Sequence, residues 1–169
     1  MWNDTDIPLA YLITFRTYGS WLHGDERGSV SRHRNVFGTR RLPHEERWRE
    51  VNTGRMNGEA ILLNAKARVC VKAAIKETCK IRGWSLFAIN VRTNHTHAVV
   101  AAGGAKAGAV LNALKANSTR MMREKRCWFS NKSPWADKGS NRYLWNEESI
   151  AGACRYVEFG QGDDLPEFD

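Results

Sequence analysis

The stretch WSLFAINVRTNHTHAVVAA, residues 84–102, contains two apolar runs that a short polar segment near Thr93 separates. Both runs are rich in residues that favour strands, and the polar segment between them is typical of a tight turn. Side chains two residues apart in a strand point to the same face of the sheet. His95 and His97 therefore lie side by side on one predicted face. The stretch predicts two adjacent strands with a pair of imidazoles that could hold a divalent metal ion together.

Further regular elements are predicted on both sides of these strands. They are a strand at 11–17, a helix at 64–83, a helix at 107–125, a hairpin at 133–146 and a helix at 147–160. The order β-α-β-β-α-β with an added C-terminal helix predicts an α+β, ferredoxin-like fold, which is an antiparallel sheet with two helices on one face. Thr96, Ala98 and Val100 are small or apolar, so we expect them beneath those two helices. The two histidines are then expected on the opposite face, beside the C-terminal helix.

The length and charge of the chain limit its class. Its 169 residues suit one domain, so we expect residues 1–169 to form a single unit in which the polar, Arg-rich stretch 18–63 is an N-terminal insertion. Twenty-six Lys and Arg residues against eighteen Asp and Glu residues give a net charge of +8. Because basic side chains displace counterions from phosphates, this charge favours a polyanionic partner such as nucleic acid.

The cysteines and the hydropathy pattern bear on the cellular compartment. Four cysteines without a C-x-x-C pair indicate reduced thiols. No apolar run in the sequence approaches the length that spans a membrane, and the N-terminus lacks the plan of a signal peptide. We therefore expect a cytoplasmic protein without a membrane partner.

The final predicted helix carries a tyrosine that suggests a specific reaction. Ile150, Cys154 and Val157 form its expected packing stripe, and Tyr156 lies about 125° from the middle of that stripe. A metal ion held by the histidine pair could polarise an oxygen of a phosphodiester while the phenol oxygen attacks phosphorus. The H-x-H pair alone is weak support, because two half-exposed strand histidines give the same pattern.

Three motifs carry a resemblance to a known family. They are NHTHAVV at 94–100, RYLWN at 142–146 and CRYVEFGQG at 154–162. Together they resemble the one-tyrosine HUH transposases, specifically the REP-associated tyrosine transposase branch. The stretch ITFRTYGSWLHGDERGSVSRHRN at 13–35 is also similar to the N-terminal part of a transposase-like subgroup. The resemblance extends over residues 11–166.

The resemblance implies a fold, a reaction and a substrate. The family has the ferredoxin-like fold, and its chemistry would make His95 and His97 ligands of Mg²⁺ or Mn²⁺. Tyr156 would be the nucleophile that becomes linked to DNA as a 5′-phosphotyrosine. The implied substrate is single-stranded DNA, often beside a hairpin or palindromic repeat, and the implied activity is nicking and strand transfer without ATP. The implied assembly is a monomer or a homodimer.

The third metal ligand departs from the family pattern. Relatives often supply Gln or Asn four residues after the tyrosine, but here that position is Gly160 and the amide is at Gln161. Five residues along an unbroken helix would turn Gln161 about 140° away from Tyr156. A left-handed conformation at Gly160 could swing the chain back. We expect Gln161 to be the third ligand; a helix-capping or solvated role is the alternative.

Five basic residues are predicted to contact DNA phosphates. They are Arg27 and Arg32 in the insertion, Arg92 before the histidines, and Lys115 and Arg120 on the second helix. Such contacts position DNA without reading its sequence. A second interpretation remains open, because the segment GDERG contains acids beside Arg27 and the helix that carries Lys115 and Arg120 is expected to have a solvated face. In that interpretation the cations pair within the chain or face solvent.

Other hypotheses remain open at this point. A domesticated protein could keep the fold and bind single-stranded DNA or hairpins while cutting them poorly, and the displaced Gln161 motivates this hypothesis. An HUH replication initiator or relaxase is a further alternative, although such enzymes are usually larger. Tyr143 is a rival nucleophile, but its predicted strand position beside Trp145 favours a packing role.

Overall fold

The computed structural model describes residues 6–19 and 60–166, and this part of the chain folds into one sheet with three helices. The strands are β1 (Ala10–Arg16), β2 (Ser85–Val91), β3 (His95–Ala101) and β4 (Ser140–Leu144); the helices are α1 (Ala65–Arg82), α2 (Ala107–Glu124) and α3 (Glu147–Phe159). Neighbouring strands are antiparallel, and their order is β2-β3-β1-β4. This is the ferredoxin-like topology, so the predicted α+β fold is confirmed. Most of the predicted insertion at 18–63 lies outside the described residues.

Helix α1 begins and ends where the sequence predicts. The Asn64 side chain accepts a hydrogen bond from the backbone N–H of Ala67 at 2.9 Å, which satisfies one of the amide groups that a helix start leaves unpaired. At the other end Gly83 has φ 68°, a left-handed conformation that costs glycine little. Within residues 6–19 and 60–166, no helix has both the length and the apolar character to cross a membrane.

Helices α1 and α2 cover one face of the sheet and bury the larger of two apolar clusters. Val71, Ile75 and Cys79, the predicted stripe of α1, are each at most 2% exposed. Ala98 and Val100 of β3 belong to the same cluster, as predicted. We call this surface the helix-pair face. Its apolar packing is the main source of stability that the fold offers.

Helix α3 packs on the opposite face of the sheet. Val157 is fully buried against Leu12 and Val99, and Ile150 and Cys154 pack at the edge of the same small cluster. The predicted stripe of this helix is therefore confirmed. We call this surface, which also carries both histidines, the site face.

The hairpin predicted at 133–146 is wrong in its first half. Only β4 forms a strand, and it pairs with β1, whereas Trp135 makes an isolated bridge to Thr17. The Trp135 side chain is 5% exposed, and its indole N–H donates to the hydroxyl of Thr119 at 3.0 Å and to the carbonyl of Lys115 at 3.1 Å, both on α2. Burial of this ring with its polar group satisfied outweighs the local preference for a hairpin arm.

Candidate functional site

Two imidazoles lie next to each other on the site face at the start of β3. The ring centroids of His95 and His97 are 4.8 Å apart. His97 is 1% exposed, whereas His95, the first residue of the strand, is half-buried. The period of two in the strand therefore brings both rings to one face, as the sequence predicts.

A polar contact at Nδ1 orients each imidazole. Nδ1 of His95 is 2.7 Å from Oδ1 of Asn94, and Nδ1 of His97 is 2.7 Å from the hydroxyl oxygen of Thr14. Thr14 reaches His97 because the two residues are directly opposite in the register of β1 and β3. Since Oδ1 of Asn94 can only accept, Nδ1 of His95 carries the proton, and the lone pair of the neutral ring is on Nε2. Metal-binding histidines are commonly held in this way.

Gln161 lies beside His95 although it is one residue past the ligand position that the resemblance implies. Its Oε1 is 3.1 Å from Nε2 of His95, and its amide N–H₂ donates to the carbonyl of Tyr156 at 3.1 Å. The second bond fixes which end of the amide faces the histidine. A left-handed conformation at Gly160, considered as a way to bring Gln161 back, is not adopted: the φ of Gly160 is −92°, and the left-handed residue in this segment is Gly162 at φ 85°. Because α3 ends before Gly160, the helical angle no longer governs where Gln161 points.

Two arginines hold the segment that follows Gln161. Nη1 of Arg92 donates to the carbonyl of Asp163 at 2.9 Å, and Nη2 of Arg68 donates to the carbonyl of Pro166 at 2.7 Å. These bonds fix the path of the chain after α3 and thereby support the position of Gln161. Arg92, predicted to contact phosphates, contacts backbone here, and its role toward DNA stays a prediction.

The Tyr156 ring stands against the buried histidine. Its centroid is 5.3 Å from that of His97, and the two ring planes meet at 68°. The side chain is half-buried and packs at the edge of the small apolar cluster around Val99 and Val157. Tyr156 thus shares the site face with both histidines and is not enclosed in the apolar interior.

The donor atoms of this cluster suit a divalent metal ion. Nε2 of His95 and Oε1 of Gln161 face each other at 3.1 Å, and both carry lone pairs, so a proton or a metal ion must relieve their repulsion. Neighbouring ligands of an octahedral ion with bonds near 2.1 Å are separated by about 3.0 Å, which agrees with this distance. In the described ranges, no three His, Cys, Asp or Glu side chains come together in a group that could hold a metal. The amide oxygen of Gln161 is the third donor beside the two imidazoles in this cluster.

Lys115, one of the predicted phosphate contacts, is used within the chain. Its ammonium donates to the carbonyls of Ala136 at 2.9 Å and Lys138 at 2.7 Å, on the segment before β4. Burial lowers the pKa of Lys115 below its usual range; Asp137 opposes this effect and Arg16 adds to it. The lysine lies on α2, across the sheet from the histidine pair. The structure does not bring it to the site face.

Arg120 also lies on α2 and is engaged at the surface. Its guanidinium is 2.8 Å from Glu124 and 3.5 Å from Glu77, and these carboxylates raise its pKa further above the usual range. Exposed pairs of this kind contribute little to stability. Arg27 and Arg32 lie outside the described residues. Contact between these arginines and DNA stays a prediction.

Two arginines on the site face have no counterpart among the predicted residues. Arg16 is directly opposite His95 in the β1–β3 register, and Arg142 is opposite Leu12 in the β1–β4 register. Arg142 is 7% exposed. In the sequence, Arg16 follows Leu12 and Thr14 at steps of two, so the three side chains share one face of β1. Only the register of β1 against β3 shows that this is the face of the histidines.

Tyr143, the rival nucleophile, points to the other face of β4. Its ring centroid is 5.5 Å from that of Tyr11 and 6.1 Å from that of Trp145, both in edge-on contacts. Its position agrees with the packing role that its strand predicts and separates it from the histidine pair.

Comparison with known proteins gives one family and two similar structures. The sequence model of the IS200-like transposases matches residues 56–158, which is more than half of the chain. A REP-associated tyrosine transposase bound to a REP hairpin is 11% identical with a TM-score of 0.48, and the match covers 93% of this chain and 69% of that one. A transposase candidate from Deinococcus radiodurans is 16% identical with a TM-score of 0.46, covering 92% and 93%. Comparison with curated protein sequences gives no significant match.

Proposed function

Because the chain belongs to the family of IS200-like transposases, we propose that it cuts single-stranded DNA and transfers the cut strand through a 5′-phosphotyrosine intermediate. The observation that carries this proposal is the cluster on the site face. The Tyr156 ring lies 5.3 Å from the His97 ring, which lies 4.8 Å from the His95 ring. A phenol beside a pair of metal-binding side chains is what nucleophilic attack on a phosphodiester requires.

In the proposed reaction Tyr156 is the nucleophile. Its phenol oxygen forms a bond to the phosphorus of the scissile phosphodiester, and the bond from phosphorus to the 3′ oxygen breaks. The phenol proton passes to solvent, and the departing 3′ oxygen takes up a proton as a free hydroxyl. Attack by the 3′ hydroxyl of another strand reverses these steps and releases the tyrosine. The phosphotyrosine ester keeps the energy of the broken bond, so joining needs no ATP.

His95, His97 and Gln161 would hold a divalent metal ion in this site. When bound, the ion polarises a non-bridging oxygen of the phosphodiester and stabilises the charge that develops there. Asn94 and Thr14 engage the Nδ1 side of the rings, so that the Nε2 side is the one that would face the ion. Two imidazole nitrogens and one amide oxygen suit Mn²⁺ better than Mg²⁺, because Mg²⁺ prefers a shell of oxygen atoms.

Positive charge on the same face supports a polyanionic substrate. Arg16 lies directly opposite His95 in the sheet, and the chain as a whole carries a net charge of +8. Contacts between cations and phosphates supply most of the affinity that does not depend on sequence. We therefore include Arg16 among the residues that hold the DNA backbone near Tyr156.

The test is a search for the covalent intermediate. The protein is incubated with labelled single-stranded hairpin oligonucleotides and Mn²⁺, and the products are separated on denaturing gels. We expect the wild type to give a protein–DNA adduct and Tyr156→Phe to give none, because phenylalanine has no oxygen to attack phosphorus. Tyr143→Phe is the matched control, since it removes a hydroxyl from a tyrosine that is 43% exposed and packs on the other face.

Two outcomes would contradict the proposal. An adduct that persists in Tyr156→Phe would assign the nucleophile to another residue. Tight binding without any adduct, across a broad set of hairpins, would instead support a protein that binds DNA without cutting it.

A further inference from the structure

The eight residues after α2 combine an exposed aromatic ring with several cations. This segment, KRCWFSNK at 125–132, is called the basic–aromatic loop. The Phe129 side chain is 82% exposed, more than any other large apolar side chain in the described part of the chain. Lys125, Arg126 and Lys132 flank it in the sequence, and Arg123 lies in the last turn of α2. A single exposed apolar side chain is common on protein surfaces, but a phenyl ring among four cations offers both a stacking surface and phosphate contacts.

The basic–aromatic loop is held in one shape by its own hydrogen bonds. Nη2 of Arg123 donates to the carbonyls of Ser130 at 3.1 Å and Asn131 at 3.2 Å. The indole N–H of Trp128 donates to the carbonyl of Lys132 at 2.8 Å. The backbone N–H of Lys132 donates to the hydroxyl of Ser130 at 3.1 Å. These bonds turn Phe129 outward, and a ring fixed in advance loses less entropy when it binds.

The basic–aromatic loop lies at the same end of the sheet as the candidate active site. The chain leaves the loop through Pro134, whose carbonyl accepts from the N–H of Tyr18 at 2.9 Å. One residue earlier, the N–H of Thr17 donates to the carbonyl of Asn94 at 2.9 Å, next to His95. The residues after β1 thus bind Pro134, two residues past the loop, on one side and Asn94, before the start of β3, on the other.

We propose that Phe129 stacks on a base of the single-stranded DNA that reaches the Tyr156 site, while the neighbouring cations contact the backbone. This inference rests on the proposed function for its choice of DNA strand. Aromatic rings interleaved with Lys and Arg are the usual means of binding single strands without sequence preference. A protein partner is a poorer match for this surface, because Lys is depleted where proteins bury surface against each other.

The experiment measures binding of a fluorescent oligothymidylate of about 20 nucleotides, long enough to exceed the site of a typical single-strand binder. Fluorescence anisotropy gives the dissociation constant at several salt concentrations. We expect Phe129→Ala to weaken binding about 10-fold, since stacking of one base on an aromatic ring contributes roughly that factor. Phe129→Trp should restore the affinity, because it restores an aromatic face, whereas Phe129→Leu should not.

Control variants separate stacking from general surface effects. Ile81→Ala removes an apolar side chain that is 75% exposed at the far end of α1, and it should bind oligothymidylate like the wild type. Lys125→Ala and Lys132→Ala should each reduce the slope of log affinity against log salt by about 0.7. A blunt duplex, whose bases are already stacked, should bind Phe129→Ala and wild type equally.

The outcomes for this loop and for the active site can be told apart. If Phe129→Ala binds oligothymidylate as tightly as the wild type, the stacking inference is overturned, even where Tyr156 still forms its adduct. If Phe129→Ala binds weakly and no adduct forms with any hairpin, the loop is supported as a single-strand contact and the proposed cutting reaction fails.

Discussion

The two faces of the sheet differ in what they bury. The helix-pair face is closed by two long helices and packs large apolar side chains such as Phe15, Ile75 and Leu114. The site face is covered by the single helix α3, its apolar cluster is small, and it includes His97 beside Tyr156. Apolar packing is therefore concentrated on one face, and the proposed active site lies on the other. Substitutions on the helix-pair face should therefore lower the free energy of unfolding, whereas substitutions on the site face should lower metal binding and activity.

Strand β3 shows how one segment serves both faces. Thr96, Ala98 and Val100 face the helix pair, and the alternate positions carry the histidines. Burying a polar imidazole is costly unless it is hydrogen-bonded, and the contact between His97 and Thr14 at 2.7 Å offsets that cost. The site is thus maintained by a strand whose other side is part of the main core.

The largest expected effects come from one substitution on each face. We expect His95→Ala to lower the affinity for Mn²⁺ at least about 10-fold, because loss of the proposed ligand should cost no less than loss of a residue that orients one. Its free energy of unfolding should change by less than about 1 kcal/mol, since His95 is half-buried. Calorimetric titration with Mn²⁺ and denaturant unfolding of the apoprotein measure the two quantities.

Ile75→Ala is the complement on the helix-pair face. Its side chain is fully buried on α1, so we expect a loss of about 2–5 kcal/mol in the free energy of unfolding. Its Mn²⁺ affinity, measured well below the unfolding transition, should equal that of the wild type. If both variants lose stability and metal binding together, the separation between the two faces is wrong.

A smaller effect is expected at Gly160, between α3 and the proposed third ligand Gln161. A Cβ atom added at Gly160 would lie 2.6 Å from the carbonyl oxygen of Tyr156 and 3.1 Å from its ring. Gly160→Ala should therefore displace the phenol by a few tenths of an ångström and slow adduct formation about 10-fold or more, because small misplacements of reacting groups are costly. Rates are read from time courses of the adduct on denaturing gels.

Gly108 provides the matched control for this prediction. It also lies in a helix, and a Cβ added there would meet no atom within 4 Å. Gly108→Ala should leave the rate unchanged and raise stability by about 0.5–1 kcal/mol through helix propensity. Equal rates for Gly160→Ala and the wild type would show that the close approach to Tyr156 does not matter for the reaction.

The sequence predicts the fold well because each element carries a local signal. The apolar spacing of α1, with Asn64 before it and Gly83 after it, defines a helix without any tertiary information. The alternation in β3 fixes which residues share a face, so the placement of His95 and His97 also follows from the sequence. Local periodicity is sufficient at these positions because burial and propensity agree.

The remaining features depend on tertiary contacts that no local pattern encodes. Trp135 leaves the predicted hairpin because its ring is buried on α2. Lys115 is predicted to contact DNA phosphate, with a solvated position as the alternative, yet two backbone carbonyls bind its ammonium. Gln161 reaches His95 because the chain turns off the helix axis after α3, and Arg16 joins the site through strand register. Each of these positions is fixed by residues far away in the sequence.

The thiols on the two faces give a further comparison, through the dependence of stability on pH. Burial on the helix-pair face raises the pKa of Cys79 from 9.0 to about 11. Because the folded state holds this proton more tightly than the unfolded state, the thiol contributes stability that is present below about pH 9 and is lost as pH rises through about 11.

Denaturant unfolding in the presence of a reductant should therefore show stability falling across this range. Cys79→Ala removes this thiol, so the slope of the free energy of unfolding against pH should become less steep. The change can reach about 1.4 kcal/mol per pH unit, which corresponds to one proton. Burial and the charge of Glu158 also raise the pKa of Cys154, but this thiol is only partly buried at the edge of the site face, so Cys154→Ala should flatten the fall less. An equal flattening by both variants would mean that the two thiols experience the same environment, contrary to the difference between the faces.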